Sequence, residues 1–128
     1  MAISTAHLEK VGTTFAGLWE ERDLDVIGPL YHEEAVFISP NPPNFSSDFS
    51  TTLQGRDEIL RYLRTTLEVI PSGVVTTTGL FTGINMVVWV WGVGADVMLF
   101  DDDGLIVRHH VTEGNVPPEL SRDPSDAT

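Results

Sequence analysis

The stretch from Ile84 to Phe100 (Ile-Asn-Met-Val-Val-Trp-Val-Trp-Gly-Val-Gly-Ala-Asp-Val-Met-Leu-Phe) limits what this chain can become. It is β-branched and aromatic, is broken once by glycines, and carries one ionisable residue, Asp96. That pattern predicts two strands joined by a tight glycine turn. Strand side chains alternate, so Asp96 shares a face with Met98 and Phe100, while Ala95, Val97 and Leu99 share the other. Neither face is polar, unlike a half-exposed strand. A carboxylate in such a setting is either solvated at the end of a turn or held there for a purpose.

Size and charge narrow the classes. A chain of 128 residues suits one domain with a single core. Nineteen acids against seven Lys and Arg give a net charge of −12, which argues against nucleic acid and against anionic membrane surfaces. With no cysteine, disulfides, thiolate metal sites and cysteine nucleophiles are excluded. The first residues lack the basic and apolar regions of a signal peptide, and the run around Trp89 and Trp91 suits a core hairpin better than a spanning helix. The expectation is a cytoplasmic protein.

Along the chain, Ser4 or Thr5 caps a first helix with Leu8, Val11, Phe15, Leu18 and Trp19 at helical spacing. Asp23 or Asp25 caps a second, shorter helix with Leu24, Ile27, Leu30 and Tyr31 inward, kinked or shortened by Gly28-Pro29. Residues 35–38 read as a short strand. The proline-rich segment 39–53, with Phe45 and Phe49, reads as a long loop, either a lid or binding loop whose phenylalanines fold back or a disordered insertion. A third helix opens at Gly55-Arg-Asp-Glu58 and buries Ile59, Leu60, Leu63 and Leu67. A strand over 74–81 leads into the hairpin, Asp101-Asp-Asp-Gly104 forms a solvated turn, and a last strand spans 105–112. The domain is expected over residues 1–114, followed by a polar, disordered tail at 115–128. Helices first and antiparallel strands after make an α+β layout.

Four segments carry a resemblance: Phe15-Ala-Gly-Leu-Trp-Glu-Glu-Arg-Asp-Leu-Asp25, Leu30-Tyr-His-Glu-Glu-Ala-Val-Phe37, Gln54-Gly-Arg-Asp-Glu-Ile59 and Phe100-Asp-Asp-Asp-Gly-Leu-Ile-Val-Arg108. In order and spacing they resemble the SnoaL-like branch of the nuclear-transport-factor-2-like superfamily. The resemblance implies a cone: three N-terminal helices packed on a curved, mostly antiparallel sheet around a ligand cavity. Its members include ketosteroid isomerases, polyketide cyclases, scytalone dehydratase, limonene epoxide hydrolase and non-catalytic binding domains, so fold does not settle function.

By position, Asp96 resembles the acid that donates to the oxyanion in ketosteroid isomerases. The partner tyrosine falls on Phe15 and the general base on Ser39, so that mechanism does not carry over intact. Epoxide hydrolysis needs a second aspartate where Val111 stands, with Glu113 as the nearby substitute. The resemblance turns the face of Val107, His109 and Val111 inward. A carboxyl and an imidazole in one apolar cavity suit proton transfer at neutral pH; the plainer alternative is a histidine satisfied in the sheet and an aspartate in water.

The sequence therefore points to Asp96 and His109 as the acid–base pair. Phe15, Trp19, Tyr31, Ser39, Thr78, Val90 and Met98 are the expected substrate contacts, and Thr76 is a further hydroxyl that could line the cavity. No metal or cofactor is expected, since His109 and His110 point oppositely on a strand and cannot chelate together. The expected activity is cofactor-independent isomerisation, cyclisation or dehydration of a small apolar molecule. The rivals are a non-catalytic binding or dimerisation module and an epoxide hydrolase. With Val88 and Val90 inward, Trp89 and Trp91 fall on the outer sheet face and suggest a homodimer through it.

Overall fold

The structure is a computed structural model that describes residues 2–40, 52–92 and 94–113, the last without its side chain. The loop with Phe45 and Phe49 and the tail at 115–128 lie outside the described residues. Helix α1 (Thr5–Ala16) starts at Ser4, whose side chain accepts from the His7 amide. It buries Leu8, Val11, Gly12 and Phe15, the face read from the periodicity. After Gly17 a single turn, α2 (Leu18–Glu21), buries Leu18 and Trp19 and ends at Arg22 in a left-handed conformation with φ 58°.

The second helix expected from Asp23 onward is instead two 3-10 turns, Leu24–Val26 and Gly28–Leu30. Gly28 and Pro29 favour that outcome, because proline cannot donate within a helix. Strand β1 (Tyr31–Ile38) starts four residues earlier than the sequence suggested. A short strand, β2 (Thr52–Gln54), closes the expected loop, and α3 (Arg56–Val69) follows. The guanidinium of Arg22 donates to the carbonyls of Leu67 and, at 2.9 Å, Ile70, satisfying groups that the end of α3 leaves unpaired.

Strands β3 (Thr77–Gly83), β4 (Met86–Trp91), β5 (Gly94–Phe100) and β6 (Ile106–Glu113) complete a six-stranded sheet in the order β2-β1-β6-β5-β4-β3. Only the β1–β6 pair among these strands is parallel. The sheet is curved and open, and helices pack against its concave face: α1 meets β3 and β4, and α3 meets β1 and β2. No helix among the described residues is long and apolar enough to cross a membrane.

The register corrects one expectation about faces. Across the β4–β5 hairpin, Trp89 stands opposite Asp96, Val87 opposite Met98 and Trp91 opposite Gly94. Directly opposed residues share a face, so the tryptophans lie inward with Asp96, and Trp89 is only 1% exposed. Val88 and Val90 belong to the outer face. The homodimer expectation thus loses the indoles on which it was built. That outer face instead carries Val88, Val90, Val97 and the largely exposed Phe81.

Candidate functional site

A cavity of about 60 Å³ lies between the helices and the sheet, lined by Phe15, Trp19, Phe37, Ser39, Tyr62, Leu63, Thr66, Ile70, Val75, Trp89, Trp91, Asp96 and Val111. Asp96 is the one carboxylate among these described lining residues. Its residue is 3% exposed, and burying a charge is costly unless hydrogen bonds compensate. The neighbouring strands supply them. The Trp91 indole N–H donates to Asp96 Oδ1 at 2.7 Å, and His109 Nε2 lies 2.6 Å from Oδ2.

Both partners reach Asp96 diagonally. Val111 is directly opposite Asp96 on β6, and His109 is two residues away, paired with Met98. On β4 Trp89 is opposite, and Trp91 is two residues further, paired with Gly94. Diagonal neighbours are about 7–8 Å apart, a span that long aromatic side chains can bridge. Gly94 leaves the room: a Cβ there would lie 2.8 Å from Trp91 Cζ2 and would clash with the Thr112 carbonyl oxygen. The indole lies across the glycine to reach the carboxylate.

His109 is fully buried behind Asp96 and is not part of the cavity wall. It is enclosed by aromatic rings, with centroids 4.9 Å away for Phe15, 4.6 Å for Phe37 and 5.9 Å for Tyr31. Tyr31 Oη lies 2.6 Å from His109 Nδ1. These contacts determine where the protons sit. An indole can only donate, so Asp96 Oδ1 accepts. The buried Tyr31 hydroxyl makes its hydrogen bond to Nδ1 and donates there, leaving Nε2–H to donate to Oδ2. Asp96 thereby accepts from two N–H donors, one at each carboxyl oxygen. Burial first, and then the negative charge of Asp96, push the Tyr31 phenol well above its ordinary range, so it stays protonated.

The expected contacts divide. Phe15, Trp19 and Ser39 line the cavity. Tyr31 and Met98 are buried on the same inward side without lining it, and Tyr31 touches His109 instead. Val90 faces outward. Thr78 is exposed, with its hydroxyl donating to the Val90 carbonyl, and Thr76 is exposed too. It is Thr77 that turns to the tryptophans, accepting from Trp89 Nε1 at 2.9 Å. Position 111, where an epoxide hydrolase would need an aspartate, places valine in the wall. The reading missed Trp91 as the partner of Asp96 and the α3 contribution of Tyr62, Leu63 and Thr66. A Trp91–Gly94 pairing across a two-residue turn would have revealed the first.

The SnoaL-like domain family matches residues 12–112, and the chain belongs to that family. A SnoaL-like protein of unknown function from Burkholderia thailandensis superposes with a TM-score of 0.76 at 20% identity, covering 90% of this chain and 100% of that one. A steroid delta-isomerase from Pseudomonas aeruginosa gives 0.65 at 24% identity, covering 91% and 85%. A putative isomerase of the SnoaL-like family from Agrobacterium tumefaciens gives 0.66 at 15%, covering 87% and 100%. These likenesses establish the fold. Among curated proteins none matches.

Two predictions test this geometry. The native state keeps the Tyr31 proton to higher pH than the unfolded chain does. Its contribution to stability is therefore complete below about pH 10 and declines as pH rises beyond it. Tyr31→Phe should cost about 1–3 kcal/mol near neutrality by stranding His109 Nδ1. The gap from the parent, read from urea midpoints, should narrow above about pH 10; a gap independent of pH would contradict the assignment. Gly94→Ala should lower stability by about 1–3 kcal/mol through overpacking, and an unchanged urea midpoint would refute the close approach of Trp91.

Proposed function

We propose that this protein is a cofactor-independent enzyme of the isomerase type that moves a proton on a small, neutral, largely apolar carbonyl compound, with Asp96 as the acid–base residue. What carries the reading is a carboxylate in the wall of an apolar cavity, held there by Trp91 and His109. Such a group accepts a proton from carbon beside a carbonyl and returns it at another carbon. The C–H bond breaks, an O–H bond forms on Asp96, and the electron pair moves to the carbonyl oxygen. Reprotonation then reverses the transfer, so no co-reactant is consumed.

His109 is the positioning residue in this scheme. Its Nε2–H follows the charge on Asp96, and Tyr31 fixes its tautomer. A space of about 60 Å³ holds on the order of four or five waters, which favours substrates far smaller than a steroid. Cyclisation and dehydration draw on the same proton transfer and remain within the proposal. Where two copies associate, the apolar outer face around Phe81, Val88 and Val90 is the surface offered.

The rival, a binding module without chemistry, uses the same cavity and is separated by one variant. Small cyclic β,γ-unsaturated ketones, followed by absorbance of the conjugated product and by deuterium incorporation from heavy water, are the probes. The parent should accelerate both processes, and Asp96→Asn should lose on the order of 10²–10⁴-fold while still binding the ketone. Equal activity in parent and variant, or none in the parent, would leave the binding module as the better account.

A further inference from the structure

The chain has three tryptophans, and their indole N–H groups fare differently. Trp89 donates to Thr77 and Trp91 to Asp96. Trp19 Nε1 is buried and has no hydrogen-bond partner among the described residues, and the residue, only 8% exposed, forms part of the cavity wall. Buried polar groups are almost always satisfied, and an exception calls for an explanation. We infer that the Trp19 indole N–H is a ligand-binding donor, and that what enters the cavity presents a neutral oxygen acceptor, a carbonyl, to it.

The ring is held as a fixed donor would be. It stacks on Trp89 with centroids 6.3 Å apart and planes 11° from parallel, and it meets Phe15 edge-on at 6.4 Å. Its backbone is secured too, since Arg22 Nη1 donates to the Trp19 carbonyl at 3.3 Å. If packing were the whole role of Trp19, a phenylalanine would serve without an unsatisfied donor. An indole can donate but not accept, so its partner carries a lone pair, and amines held as ammonium ions are excluded. A carboxylate ligand would share the small cavity with the charge of Asp96, and like charges at close range disfavour each other. A neutral carbonyl meets both conditions.

The catalytic meaning of this donor rests on the proton transfer proposed for Asp96. As the carbon loses its proton, negative charge grows on the carbonyl oxygen, and a preorganised N–H facing it stabilises that charge. The binding role stands without that step. Phe15 cannot donate to such an oxygen; Trp19, one helical turn later, can.

The test compares cyclopentanone with methylenecyclopentane, near-isosteres that differ in oxygen against a methylene group. In proton–nitrogen correlation spectra of the full chain, the ketone should shift the Trp19 indole resonance downfield, and the alkene should not. That resonance is identified by its absence in Trp19→Phe. The variant should bind the ketone about tenfold more weakly, the loss of one hydrogen bond of roughly 1.4 kcal/mol, and bind the alkene as before. Equal weakening of both ligands, or an unmoved indole resonance in the parent, would overturn the inference and leave Trp19 as packing. If the variant does not fold, the indole shift and the ketone-over-alkene preference of the parent decide. Asp96→Asn should keep the indole response while losing turnover, so a failure of proton transfer and a failure of the donor are told apart.

Discussion

The carboxylate of Asp96 is the group on which the interior of this cone depends. A charge taken out of water is tolerated only when donors replace the water. Here one donor comes from the strand on each side, and both arrive on the diagonal. That arrangement fixes more than the acid. It requires β4, β5 and β6 to keep register over the length of the hairpin, because a one-residue slip would turn Trp91 and His109 to the outer face. It also requires glycine at 94, since the indole passes where a side chain would stand. The turn that might have left Asp96 at a wet rim is the feature that lets Trp91 cover it.

Behind the carboxylate, the polar chain runs away from the cavity and ends. Trp91 and His109 donate to Asp96, and Tyr31 donates to His109. Each proton has an acceptor in this state. Phe15 and Phe37 close the imidazole off, and Tyr31, bonded to its other nitrogen, does not line the cavity. In the proposed reaction, proton exchange with a ligand would therefore be confined to Asp96. A histidine on the cavity wall could itself have taken the proton. Placed behind, it holds the Asp96 carboxyl in orientation, and under the proposed function it would support that base electrostatically, as in a preorganised site.

Much of this was legible in residues, and the part that was not has a physical reason. The stripe Leu8, Val11, Phe15, Leu18 and Trp19 located the first helical segment because one face of it is polar. The grouping of Asp96 with Met98 and Phe100 followed from strand alternation alone. The facing of Trp89 and Trp91 did not, because β4 is apolar on both sides and alternation then gives a period without a phase. Only the pairing across the turn supplies the phase. Position 31 misled for a different reason: Leu30-Tyr31 continues a helical spacing, but Pro29 limits the preceding segment to short turns, and Tyr31 enters the sheet. Trp19 was read as lining the cone, whereas its missing hydrogen bond is a property of the packed interior that no spacing encodes.

The charge of the chain and the chemistry of the cavity point the same way. An excess of acids over the surface and a carboxylate at the wall both disfavour anionic ligands, at long range and at short range. Yet in the proposed reaction, removal of a proton by Asp96 creates negative charge on the bound molecule just as Asp96 loses its own. Total charge in the cavity is unchanged by that step; it moves from one oxygen to another. That proposed step calls for donors at two places, one pair for the resting carboxylate and one for the oxygen that receives the electrons. Trp91 and His109 occupy the first place, and the unpaired N–H of Trp19 is suited to the second. A neutral ligand with a single carbonyl is the class of molecule that, on this proposal, would use both.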